Sequence, residues 1–235
     1  MAKAIAFLHT SPVHIATFDR LLAEIDPSIL ARHMVDEDLL NAARAASTIN
    51  PALEQRIAAA VRRAGGPDGA VVLCTCSTIG GSAEAAGTHT AHTVLRVDRP
   101  MAERAVALGR RILLAAALAS TIGPTSELIH EAARRAGKQI ELIELLCEPA
   151  WALFESGDHA GYAQAIAEAL RAAAGAADVI VLAQASMAGA SPLCADLGIP
   201  ILSSPRLGLE AAIAACYNVA GAASEQADDR PSPMV

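Results

Sequence analysis

Short apolar runs alternate with amphipathic stretches along nearly all of the 235 residues, and each run is bounded by turn residues. Ala4-Ile-Ala-Phe-Leu8 predicts a buried strand, His14 to Ile25 a helix, and Ser28 to Val35 a weaker strand. Helices follow over Asp36 to Ala46 and Pro51 to Ala64, the second with Asn50 as N-cap and Pro51 at its first position. Ala70-Val-Val-Leu-Cys74 is the strongest strand. Apolar strands separated by helices are buried on both faces, which requires parallel pairing. The class is α/β.

After about residue 110 the pattern begins again. Arg111 to Ala115, Gln139 to Leu146, Asp178 to Leu182 and Ile199 to Leu202 predict strands. Pro124 to Ala136, Asp158 to Ala174 and Pro205 to Tyr217 predict helices. Val71-Val-Leu-Cys-Thr-Cys-Ser77 lies over Ile180-Val-Leu-Ala-Gln-Ala-Ser186 without a gap, and the same spacing puts Thr10-Ser11 over Ala119-Ser120. Such self-similarity points to duplication and a bilobed protein. The expected division is a first lobe of residues 1–98 plus 205–220 and a second of 99–204, with a disordered tail over 221–235.

Composition removes several functions. Hydrophobic residues make up 53% of the chain but aromatics only 3%. Alanine alone is roughly a quarter, against an ordinary share under about a tenth. The longest pure apolar run, Ile112 to Ala119, is far short of the ~20 residues of a membrane span. His9, Pro12 and His14 interrupt the first apolar stretch, unlike a signal peptide. A net charge of −7, with no run of Lys or Arg beyond scattered arginine pairs, disfavours nucleic acid. Five cysteines, an odd number without a secretory signal, imply reduced thiols and a cytoplasmic protein.

Chemistry concentrates in Cys74-Thr-Cys-Ser-Thr-Ile-Gly-Gly-Ser82, which follows a buried strand. Ligands of open α/β sheets sit at the carboxyl ends of strands. There Cys76 should emerge while Cys74 stays inside the strand. Turn N–H groups and a helix N-terminus could hold a carboxylate and lower a thiol pKa. Two buried structural cysteines are an equally good account of the same residues. Zinc held by Cys74, Cys76, His89 and His92 is disfavoured by the spacing, so no metal is expected. No dinucleotide, phosphate-loop or hydrolase-elbow motif is present.

These segments together resemble the cofactor-independent aspartate/glutamate/hydantoin racemase superfamily, which includes arylmalonate decarboxylases and maleate isomerases. The resemblance runs from Ala4 to about Tyr217. It rests on Leu8-His-Thr-Ser-Pro12, on Val72-Leu-Cys-Thr-Cys-Ser-Thr78 at the place of the family's first Cys-Asn-Thr turn, and on Val97-Asp-Arg-Pro-Met101. In the second half it rests on Val179-Ile-Val-Leu-Ala-Gln-Ala-Ser-Met187 and Gly198-Ile-Pro-Ile-Leu-Ser-Ser204. It implies two Rossmann-like lobes related by a pseudo-two-fold axis, substrate in the interlobe cleft, no cofactor, and a last helix that returns to the first lobe. Family racemases flank the substrate α-carbon with one cysteine from each lobe.

On that pattern the first cysteine is Cys76. The second position falls on Ala185, or on Gln184 if the register slips by one, and neither is a thiol. Symmetric two-thiol racemisation is therefore disfavoured. Single-thiol chemistry by Cys76 is expected at the α-carbon of a small carboxylate or amino-acid-like substrate, of isomerase/racemase or decarboxylase type. His9 or a bound water could supply a second group. Arylmalonate decarboxylases also keep one cysteine, but in the second lobe. Cys147 and Cys194 lie at no clear strand end and are expected to be structural. Thr10, Ser11, Ser77 and Thr78, with Ser120, Thr121, Gln184, Ala185 and Ser186, should form a substrate pocket of neutral donors and small groups, poor in aromatic rings. A degenerate small-anion-binding protein is the alternative, and assembly into a homo-oligomer is open.

Overall fold

The strongest apolar runs become the centres of two sheets. The computed structural model describes residues 3–46, 49–67 and 71–228. In the first sheet β1 (Ala4–His9) is flanked by β2 (Leu30–Val35) and β3 (Val71–Cys74), with β4 (Thr93–Arg96) at the edge, all parallel. In the second, β5 (Arg111–Ala116) is flanked by β6 (Glu141–Leu146) and β7 (Val179–Leu182), with β8 (Ile201–Ser203) at the edge. The strand order is the same in both. The fold is α/β, two parallel four-stranded sheets flanked by helices.

Strand alternation divides each lobe into two apolar layers. In the first lobe Ala6, Leu8, Val72 and Cys74 face Leu39 of α2 (Glu37–Ala46), Leu53 and Ile57 of α3 (Pro51–Gly65), and Ile79 of α4 (Ser77–Gly87). Ile5, Phe7, Val71 and Leu73 face Phe18, Leu21 and Leu22 of α1 (His14–Ile25) on the other side. Leu209, Ala212 and Cys216 of α9 (Ser204–Asp228) complete that second layer.

In the second lobe one layer packs on α5 (Arg99–Leu108) and α6 (Ala119–Arg135). The other packs on α7 (Glu148–Glu155) and α8 (His159–Ala173). The many alanines lie in these contacts, where small side chains bring helices close to the sheets. The expected caps are in place. Asn50 accepts from the Leu53 N–H at 2.9 Å and Asp158 from the Gly161 N–H at 2.8 Å.

Several elements differ from expectation, and α5, like α7, has no counterpart among the expected helices. Helix α6 starts at Ala119, so Pro124 lies inside it and offers no N–H to the Ser120 carbonyl. Helix α7 was hidden in the sequence because it is only 8 residues long. Helix α9 continues past Tyr217 to Asp228, through an alanine-rich stretch of high helix propensity. The expected disorder over 221–235 therefore does not describe 221–228, and 229–235 lie outside the described residues. No described helix is long and apolar enough to cross a membrane.

Close packing of α9 depends on Gly208. A Cβ there would run into the carbonyl oxygen of Val97 and stand 2.9 Å from its Cα, so backbone would have to move. Gly208→Ala is expected to lower stability by about 1–3 kcal/mol, read as a lower urea midpoint at unchanged slope.

Candidate active site

The first sheet ends where the helix dipole of α4 begins. Cys76 is the N-cap residue of α4 in extended conformation (φ −109°, ψ 115°), two residues beyond β3. Cys74 is fully buried inside β3, and burial drives its thiol far above the usual range. Cys76 is only half-buried, on the wall of a cleft between the lobes. Burial raises its pKa too. The Thr10 hydroxyl, the N–H groups of Ile79 and Thr78, and the Thr78 hydroxyl pull the other way by hydrogen bonding to sulfur. The group rests as a thiol at neutral pH, with donors ready for a thiolate.

That state has a measurable signature. Alkylation of Cys76 by iodoacetamide should be slower at pH 7 than that of a free thiol, and should still be rising at pH 9. Thr10→Val removes a donor to the thiolate, so the profile should move further toward alkaline pH. An unchanged profile would sink this role for Thr10.

Strand pairing fixes which residue of the second lobe corresponds to Cys76. Leu8 pairs with Cys74 and Ala115 with Leu182, and the next residues repeat the match: Thr75 N–H donates to Leu8 O at 3.0 Å, and Ala183 N–H to Ala115 O at 2.9 Å. Cys76 is thus equivalent to Gln184, not Ala185. Gln184 likewise caps a helical turn, the 3-10 segment Ala185–Ala190, with similar backbone angles (φ −117°, ψ 140°). By the same register Thr10-Ser11 corresponds to Ala117-Leu118 rather than Ala119-Ser120. Apolar runs slide over one another without penalty in a sequence comparison, whereas ladder hydrogen bonds do not slide.

Thr10, Ser11, Cys76, Ser77, Thr78, Thr121, Gln184, Ala185 and Ser186 line one cleft. Ser120 does not. It faces a separate hollow of about 790 Å³ along α4 and α6, among Arg96, Arg99 and Glu127. Consecutive helical residues point about 100° apart, and the early start of α6 aims only Thr121 into the cleft. Gln184 ties its oxygen to backbone, accepting from the N–H groups of Ala117 (2.7 Å) and Leu118 (3.1 Å). A carboxamide so held exchanges no proton near neutral pH.

The cleft contains residues the sequence reading missed. His14, Leu40, Thr75, Leu118, Trp151 and Phe154 also line it. Against the expectation of a pocket poor in aromatic rings, α7 brings in Trp151 and Phe154, stacked at 4.7 Å between ring centres. Their one-turn spacing just after β6 was the available signal. Ser186 is backed by the Tyr162 hydroxyl at 3.0 Å. Cys147 directly follows β6 as the N-cap residue of α7, so it does stand at a strand end, yet it is buried outside the cleft. Cys194 is buried in the core of the second lobe.

His9 is fully buried and does not line the cleft, which removes it as a direct second group. Burial, then His33 and His14, hold its pKa down to about 3; burial holds His14 at about 4. His92 packs its ring against Gly65 of α3. Among the described residues no three His, Cys, Asp or Glu side chains converge as a metal site.

The cleft is narrow, with a cavity volume of about 40 Å³. Ser77 Oγ donates to the Ala183 carbonyl across it at 2.8 Å, and Thr78 and Thr121 hydroxyls meet at 3.3 Å.

No family model matches the sequence, and no curated protein is significantly similar to it in sequence. Solved structures are similar in fold over nearly the whole chain. The aspartate racemase of Picrophilus torridus superposes with a TM-score of 0.60 at 16% identity, over 93% of this chain and 94% of its own. The glutamate racemase of Francisella tularensis in complex with D-glutamate gives 0.67 at 16%, over 92% and 82%. An arylmalonate decarboxylase gives 0.52 at 16%, over 91% and 92%.

The fold is that of the aspartate/glutamate racemases.

Within this racemase fold, the two positions related by strand register hold a thiol in one lobe and an amide in the other. Cys76 has the helix N-terminus, and Gln184 has its oxygen tied to backbone.

Proposed function

We propose that the protein is a cofactor-independent enzyme acting at the α-carbon of a small carboxylate or amino-acid-like molecule, with Cys76 as its one acid/base thiol. The observation that carries this is the pairing of Cys76 with Gln184 at equivalent strand ends. A proton can then be given or taken on one face only. Because burial favours the neutral thiol, the resting enzyme is an acid, and the reading favoured within this class is decarboxylation with protonation of one face. Loss of CO2 from a malonate-type dicarboxylate leaves its electron pair on the α-carbon, delocalised as an enediolate. The Cys76 S–H bond breaks as a C–H bond forms, and the thiolate that remains is stabilised by Thr10, Thr78 and the first N–H groups of α4. The Ser11, Thr121 and Ser186 hydroxyls suit the retained carboxylate and its growing charge. Racemase-type exchange by one base is the nearest variant. The five free thiols fit a reducing cytoplasm.

The test is a panel of malonates, amino acids and hydantoins incubated with the protein in deuterium oxide. CO2 release, with deuterium delivered to one enantioface, is expected from a malonate. A second reading, a small-anion-binding protein without turnover, is favoured by the amide of Gln184 standing where a second thiol would be, with its oxygen tied to backbone. Tight binding of a panel member with neither exchange nor CO2 release would establish that reading and reject the enzyme.

A further inference from the structure

One polar chain runs from solvent through the first lobe to the cleft wall, and none of its residues takes part in the chemistry proposed above. Asp19 Oδ1 meets His33 Nε2 at 2.9 Å, His33 Nδ1 meets His9 Nε2 at 2.8 Å, and His9 Nδ1 meets Thr75 Oγ1 at 2.8 Å. Exposure falls steadily along it: the Asp19 side chain is 53% exposed, His33 15%, and His9 is fully buried. Phe7 lies against both imidazoles, at 4.8 Å from His33 and 5.7 Å from His9 between ring centres, and Phe18 flanks His9 at 5.8 Å. These rings leave the chain itself as the polar route.

Donor and acceptor counting allows two complete arrangements. In the first, the Thr75 hydroxyl donates to His9 Nδ1, His9 Nε2–H donates to His33 Nδ1, and neutral His33 donates Nε2–H to the Asp19 carboxylate. In the second, His33 carries both protons and donates to Asp19 and to His9 Nε2. His9 then holds its proton on Nδ1 and donates to Thr75, whose own proton turns to another acceptor such as the Leu8 carbonyl, 3.3 Å away. The two differ by one proton on His33 and by the direction of every inner hydrogen bond. Neither arrangement places a charge on His9, in accord with its strongly lowered pKa.

We propose that Asp19, His33, His9 and Thr75 form a relay that carries protons between the solvent edge and the Cys76 cleft. In delivery, the Thr75 O–H bond breaks toward an acceptor in the cleft and Thr75 takes the proton from His9 Nδ1. His9 Nε2 takes the proton from His33 Nδ1, and His33 is left neutral against Asp19. Collection is the reverse. The relay deepens the function proposed above and rests on it for its use: the thiolate left after each one-sided protonation must regain a proton while substrate or product fills a narrow cleft. Thr75 precedes Cys76 in the chain and lines the same cleft. The other titratable groups facing His9 are His14 of α1, at 6.4 Å between ring centres, and the Cys76 thiol beyond Thr75. Asp19, also on α1, reaches it only through His33. Asp19, His33 and His9 are positioning residues, and Thr75 alone of the four borders the substrate space.

The test is a pH titration of the full-length protein, with 15N-labelled histidine followed by NMR. As His33 gains a proton, His9 should exchange tautomers at the same midpoint, Nδ1 becoming protonated and Nε2 becoming the acceptor. Asp19→Asn, at an exposed site, should move both transitions together to lower pH. Thr75→Val should uncouple them, and Thr75→Ser should restore them. A His9 that keeps one tautomer while His33 titrates overturns the relay, as do independent midpoints. With a turned-over substrate, Asp19→Asn should lower kcat by about tenfold or more at unchanged KM, on the scale of lost proton-transfer catalysis; unchanged kcat overturns the relay's use. The readouts separate the two ideas. Coupled tautomers without any turnover would reject the proposed enzyme and keep the relay, whereas turnover with a fixed His9 would reject only the relay.

Discussion

Cys76→Ala is expected to lower turnover of the substrate found in the panel by roughly 10²–10⁴-fold, the usual contribution of a positioned acid or base. The loss should fall on kcat, because hydroxyls and N–H groups around the substrate space remain. Cys76→Ser keeps the shape but supplies a far weaker acid, and should be nearly as impaired. A rate that survives either change would remove the thiol from the chemistry. The reciprocal variant tests the other face. Gln184→Cys puts a second thiol at the register-equivalent position, so the product should begin to lose stereochemical purity through exchange on both faces. It also removes the acceptor for Ala117 and Leu118 N–H, which should cost about 1–3 kcal/mol of stability.

The second large effect concerns the joint between the lobes. Arg96 holds Asp98 through two hydrogen bonds of 2.7 and 2.9 Å, with the arginine 6% exposed and the carboxylate not at all. The same guanidinium reaches the Pro124 carbonyl of α6 at 3.4 Å, and Arg99 ties Glu84 of α4 to Glu131 of α6. Asp98→Ala would leave a buried guanidinium without its counter-ion. About 3–5 kcal/mol should be lost, roughly 6–20 °C in Tm for a chain of this size. Replacing both partners by apolar residues of similar volume should recover much of that loss, since the desolvation cost disappears with the charges. A single Asp98→Ala variant as stable as the parent in urea would show that water reaches this pair.

The sequence carried the layers of the fold well, because a parallel strand buried on two faces leaves an uninterrupted apolar run, as at Val71–Cys74 and Val179–Leu182. It carried Cys76 for a related reason: a small polar turn after such a run has one place to go, the carboxyl edge of the sheet. Register was harder to read. Assigning Ala185 instead of Gln184 is an error of a single residue, and apolar composition does not change across it. Only the ladder bonds from Thr75 and Ala183 settle the pairing. Ser120 failed through a similar ambiguity, since Pro124 gave a plausible helix start that the chain did not use. The relay was illegible for another reason. Asp19, His33 and His9 come from three separate elements and Thr75 from the turn after β3, and nothing local marks any of them as a partner of the others.

The return of α9 to the first lobe also bears on how the molecule is made. Phe7, Phe18, Leu21 and Leu22 bury themselves against Leu209, Ala212 and Cys216, residues that leave the ribosome after the whole second lobe has been synthesised. Vectorial synthesis therefore finishes the lobes in reverse order, with the later sheet able to close while the earlier one still shows an apolar face to the cell. That nascent face is the stretch of this chain most in need of a chaperone, and a stalled or truncated product would carry it permanently uncovered.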